Sequence, residues 1–250
     1  MNFLFAMALH FKFLILCLFL TVICIPIHSQ STDNDLLKSL LELSSSKYGS
    51  DEALVNGTSY QQSNARADGD PFFYSPEWGN AKITISNKIF EVQSLKFDIA
   101  DEKLVLHITM QSGAKIPILL NNEFIENFEL HQCYFVPSQA YFIDNEVKGF
   151  VDLVYTRSFT FVTKYKKEFV KMYTKVNPNG KFSETQANHY LIRNGVITRI
   201  KSKKGIVKAF EPYKKEISKY MKMNHIKFKT ADHQQLSLLL KFCDEQSAIK

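Results

Sequence analysis

The stretch EVQSLKFDIADEKLVLHITM, residues 91–110, decides how the chain reads. Leu95, Phe97 and Ile99 alternate with other residues, and Asp101-Glu102 turns the chain. Leu104, Leu106, Ile108 and Met110 then alternate again and stop at Ser112-Gly113. Successive side chains of a strand point to opposite faces, so a period of two marks a half-buried strand. Two such runs joined by a tight turn make an antiparallel hairpin.

The same period extends in both directions. Upstream, Ile83 and Ile85 lead to a turn at Asn87-Lys88, followed by Phe90 and Val92. Downstream, Ile116, Ile118 and Leu120 run to Asn121-Asn122. Val151, Leu153 and Tyr155 pass through a turn at Arg157-Ser158 to Phe159, Phe161, Thr163 and Tyr165. Lys164, Lys166 and Lys167 crowd the end of that strand and would discourage edge pairing. Asn194-Gly195, between HYLIR and VITRI, is the strongest hairpin signal, because both residues tolerate positive φ. The strands fall short of the roughly 9–11 residues that a membrane barrel needs. The expected fold is α+β, with an antiparallel β-meander body, either a sandwich or a partly open barrel, over residues 55–200.

Beyond Ile200 the helical period returns. Ser202 is placed to cap a short helix that buries Ile206, Val207 and Phe210. Pro212 fits the first turn of the next helix, whose apolar face is Tyr213, Ile217, Tyr220 and Met221. Thr230 is expected to cap a last helix burying Leu236, Leu239, Leu240 and Cys243. Residues 201–250 therefore read as a basic helical region packed on the sheet.

At the other end, residues 13–27 are apolar and uncharged, preceded by Lys12. That run suits a secretory leader better than a membrane span of about 20 residues. Cleavage is expected between Ser29 and Gln30, giving a secreted or periplasmic chain with no transmembrane span; Met7 is an alternative start, and an uncleaved anchor is the competing reading. Ile23 before Cys24 and Leu16 before Cys17 argue against lipid attachment. Residues 30–54 read as a short helix, with Leu36, Leu40 and Leu43 in line, and a serine-rich linker.

Charge is unevenly spread. Residues 30–149 carry 9 Lys and Arg against 17 Asp and Glu, a balance of −8, and residues 150–250 carry 21 against 8, a balance of +13. Export argues against nucleic acid as the partner, and so does the scarcity of arginine beyond Gly149. The lysines read first as a solvated face; an anionic envelope polymer or surface meeting Lys214, Lys215, Lys219 and Lys222 is the functional alternative.

Catalytic signatures are absent: no phosphate loop, nucleophile elbow or His-Glu-x-x-His occurs. No catalytic residue, cofactor or metal is expected. His131 and Cys133 would share a strand face, but two residues do not make a metal site. The acidic groups Asp68-Gly69-Asp70, Asp98 with Asp101-Glu102, and Asp144-Asn145-Glu146 all fall in turns, where carboxylates bond locally. Cys133 and Cys243 are the cysteines beyond the leader; they form either a disulfide or two buried thiols, the latter being favoured. The aromatic stretch over residues 70–79 reads as a core-forming segment, with a sugar-stacking surface as the alternative.

Several of these segments resemble a group of exported proteins from Bacteroidetes-type bacteria. The resemblance rests on Asp70-Pro71-Phe72-Phe73, Leu95-Lys96-Phe97-Asp98-Ile99, Gly149-Phe150, and Ser202-Lys203-Lys204 leading into Tyr213-Lys214-Lys215-Glu216-Ile217. It spans about residues 55–245 and implies an envelope location without an activity. The expected function is a non-enzymatic binding or interaction module. The rivals are an envelope hydrolase, with two turn carboxylates about 5–10 Å apart, and a carrier whose phenylalanine-lined sheet encloses an apolar ligand.

Overall fold

The computed structural model describes residues 58–109, 114–142, 147–211 and 213–248. The leader with Ser29 and Gln30, the helix over residues 33–43, Met110, Ser112-Gly113, the Asp144-Asn145-Glu146 group and Pro212 lie outside them.

The alternating runs become strands. In chain order they are β1 (Gly79–Ile85), β2 (Lys88–Asp98), β3 (Lys103–Thr109), β4 (Lys115–Leu119), β5 (Ile125–Leu130) and β6 (Cys133–Pro137). There follow β7 (Phe150–Thr156), β8 (Thr160–Lys166), the short pair β9 (Phe169–Val170) and β10 (Lys181–Phe182), β11 (Gln186–Arg193) and β12 (Val196–Ile200). All but β9 and β10 join one antiparallel sheet in the order β12-β11-β8-β7-β6-β5-β1-β2-β3-β4. It is a meander with one long return, where the chain leaves β4 and re-enters beside β1 as β5.

Turn chemistry sets the register. Asn194 and Gly195 have φ of 51° and 76°, as their tight hairpin requires. The first hairpin turns one residue earlier than expected: Ile85 pairs with Lys88, and Ser86 and Asn87 take positive φ. His131 and Gln132 do the same between β5 and β6, with φ of 50° and 65°. His131 therefore sits in a tight turn and not on a strand face beside Cys133, which corrects the strand reading of that triplet.

The sheet curls strongly. Phe97 on β2 and Phe150 on β7 are four strand steps apart, about 19 Å in a flat sheet. Their rings lie 6.1 Å apart, and Phe97 and Phe135 are 5.4 Å apart edge to face. Phe97, Phe128 and Phe135 are 1% exposed or less, so these rings fill the concave side. β12 and β4 remain unpaired with each other, so the sheet curls without closing.

The curl is tied across its rim. Lys164 pairs with Glu102 at 2.7 Å and donates to the carbonyls of Lys148 and Phe150. The β8 lysines thus do not guard an edge: β8 lies inside the sheet between β7 and β11. Lys167 reaches Asp70 at 3.0 Å and Lys166 reaches Glu168 at 2.8 Å. Gly149, at φ 72°, passes so close to Glu102 that a methyl group there would meet its carboxylate at 2.0 Å.

Three helices cover the far half of the concave face: α1 (Lys203–Ala209), α2 (Lys214–Met223) and α3 (His233–Ala248). Ser202 caps α1 as expected, accepting from Gly205 N at 3.3 Å. The last helix starts later than expected. Asp232 accepts from Gln235 N at 2.8 Å, while Thr230 bonds back to the Lys227 carbonyl. Ile217, Met221, Leu236, Leu239, Leu240 and Cys243 are buried against Phe161, Leu191 and Ile200 of the sheet. Each large apolar side chain so buried contributes about 1.5–3 kcal/mol. Among the described residues no helix is long and apolar enough to cross a membrane.

Candidate functional site

Antiparallel register places directly opposed residues on one face of a sheet. Phe135, Asp152, Thr163 and His189 are opposed in succession across β6, β7, β8 and β11. A polar row therefore crosses the concave face, between the phenyl core and the helical core. Cys133 is two residues before Phe135 and shares its face. His233, the first residue of α3, comes down onto the row from above.

Asp152 is the hub. Its side chain is fully buried and accepts from Tyr134 N at 3.2 Å and from the Tyr165 hydroxyl at 3.4 Å. His233 Nδ1 lies 3.0 Å from both of its oxygens, and the Cys133 thiol lies close beside it. A buried carboxylate needs such partners, since an unpaired one costs several kcal/mol. The donor atoms of Cys133, Asp152 and His233 lie within 4.8 Å of one another.

Burial, with the charge of Asp152, pushes the Cys133 thiol far above its ordinary range, so it is no nucleophile as it stands. The hydrogen bond to Asp152 holds His233 above the usual histidine value, against the opposing effect of burial. His189 goes the other way. Burial lowers it to about 4, so its ring is neutral and bonds Thr163 Oγ1 at 2.9 Å.

The turn carboxylates gather at one end of the curl. Asp98 and Asp101 line a cavity of about 310 Å³ together with Lys167 and Glu168. Asp98, 1% exposed, accepts from Ala100 N, Asp101 N and the Tyr60 hydroxyl at 3.0, 2.9 and 2.8 Å. Burial raises its pKa despite these bonds. Asp101 is lowered instead: burial opposes this, and the bonds from Ser63 and Lys103 outweigh it. Asp98 Oδ1 thus holds the β2–β3 turn, and Oδ2 holds the Tyr60 hydroxyl.

The aromatic stretch divides. Phe72 and Phe73 are buried, and Phe73 packs on Phe135 and Tyr165. Trp78 stacks on His107 at 3.5 Å with Lys96 over its ring. Tyr74 is 79% exposed and stacks on His131 at 4.9 Å. His131 borders a groove of about 750 Å³ over β1, β2, β5 and β6, with Gln93, Glu129, Gln132 and Tyr134 in its lining.

The basic end forms a groove of its own, about 450 Å³, between α1 and α2. Lys203, Lys204, Lys208 and Lys214 border it, with Val207 and Glu211. Of the four lysines singled out in the sequence, Lys214 lines this groove; Lys215, Lys219 and Lys222 are exposed on α2 outside its lining. Among the described residues, no lysine between positions 201 and 229 forms an ion pair. Both thiols are free and buried, Cys243 in the helical core and Cys133 beside Asp152.

Sequence reasoning found Cys133 but paired it with His131. Asp152 and His233 escaped it because strand register and helix docking, not spacing, bring them together. Compared with protein-family models, with curated proteins and with solved structures, the chain matches none.

Proposed function

We propose that the protein is an exported, non-enzymatic binding module of the cell envelope, and that its lysine-rich helical end holds an anionic envelope polymer. The observation that carries this reading is the α1–α2 groove, where Lys203, Lys204, Lys208 and Lys214 converge around one carboxylate, Glu211, and, among the described residues, form no ion pair. Lysines left unneutralised side by side repel one another, and a polyanion relieves that repulsion while releasing its own counterions. Lysine is a point charge on a flexible stem, suited to a flexible polyanion and poorly suited to reading bases. The rivals have less support. Both oxygens of Asp98 are taken by the chain's own donors, and phenyl rings occupy the space a carrier would give its ligand.

The test is binding of a soluble poly(glycerol phosphate) to the full chain and to a charge-reversed variant, Lys204→Glu with Lys208→Glu and Lys214→Glu. The variant should lose about tenfold or more in affinity, while Lys88→Glu on β2 should change it little. Equal binding by the triple variant would sink the assignment. Export is tested on the same preparation by intact mass: a chain beginning at Gln30 supports it, and an intact leader in the cytosol contradicts it.

A further inference from the structure

We propose that Cys133, Asp152 and His233 form a zinc site, the ion being held by one thiolate, one carboxylate oxygen and one imidazole nitrogen. The three residues come from β6, β7 and the first position of α3, and their donor atoms lie within 4.8 Å of one another. Around a tetrahedral zinc ion, bond lengths of 2.0–2.3 Å set ligand atoms roughly 3.3–3.8 Å apart. The cluster brackets that range, with His233 Nδ1 at 3.0 Å from Asp152 and every pair inside 4.8 Å. Small side-chain adjustments, with no change of register, therefore make room for the ion.

The donor set selects the metal. A thiolate, an imidazole and one carboxylate suit zinc, whereas magnesium and calcium call for oxygen cages. The supporting contacts are also present. Tyr134 N and the Tyr165 hydroxyl bond the Asp152 carboxylate, as the outer partners of a ligating carboxylate do. The His233 side chain is 19% exposed, so this ligand lies near solvent, from which a water would supply the fourth ligand. On binding, the sulfur–hydrogen bond of Cys133 is replaced by a sulfur–zinc bond, and its proton passes to solvent together with any proton on His233. No electron is transferred. A filled site would cross-link the start of α3 to the middle of the sheet.

The experiment is cobalt and zinc titration of the full-length folded chain. Cobalt should bind one ion per chain and give a thiolate-to-cobalt charge-transfer absorption, with zinc displacing it. Cys133→Ser should abolish that absorption, while Cys243→Ser keeps it. His233→Gln, at a partly exposed position that leaves the sheet core intact, should weaken zinc by at least ~10-fold. It serves as the second variant if Cys133→Ser does not fold. A folded wild-type chain that binds neither ion would overturn the proposal. So would an unchanged cobalt spectrum in Cys133→Ser or unchanged zinc affinity in His233→Gln, and His233 would then be only a partner to Asp152.

Discussion

At the residue scale, what distinguishes this core is how its polar members are reconciled with burial. Asp152 collects donors, Thr163 meets His189, and Lys164 meets Glu102. For the last pair, burial dominates on both sides, raising Glu102 and lowering Lys164, so the contact offsets a cost and fixes geometry more than it stabilises. His189 makes a pH prediction. Its folded value of about 4 lies below the ordinary 6.5, so both states are neutral above pH 6.5 and its contribution there is complete. As pH falls from 6.5 towards 4 the unfolded chain takes up a proton that the folded chain refuses, and stability drops. Between pH 7 and pH 5 this amounts to about 2 kcal/mol. Denaturant unfolding at both pH values, for the wild type and His189→Gln, isolates the effect. The wild type should lose that much more than the variant; equal losses would remove His189 from the account.

At the element scale, the helices are placed by local chemistry and held by one apolar face each. The start of α3 is the clearest case. Asp232 and Gln235 bond each other's backbone amides reciprocally, at 2.8 and 3.4 Å, which places the N-terminus just before His233. Asp232→Ala should cost about 1 kcal/mol in thermal or denaturant unfolding, and Thr230→Ala should cost distinctly less; the reverse order would return the cap to Thr230. Such signals are local, which is why the Asn194-Gly195 hairpin, the Ser202 cap and the buried faces of α2 and α3 were legible in the sequence. The β5–β6 turn was not, because His131 and Gln132 adopt positive φ without glycine or asparagine to announce it. The Cys133, Asp152 and His233 cluster was illegible for a different reason. Its members are far apart in the chain and meet only after the sheet has acquired its register and its curl.

At the scale of the whole molecule, a curled antiparallel sheet presents two contrasting ends. Turn carboxylates gather at the rim by β2 and β3, and the helices carry the lysines on their outer sides. The phenyl rings inside make the sheet a filled scaffold. In the proposed reading, the basic groove is where the lysine-rich half of the chain meets its partner. The most direct measurement is the affinity of the full chain for poly(glycerol phosphate) across a tenfold rise in salt. Engagement through about three lysine contacts predicts a linear fall of log affinity with log salt, roughly a hundredfold over that range. An affinity that does not change with salt, or no binding at low salt, would contradict the account and leave the lysines as a solvated face.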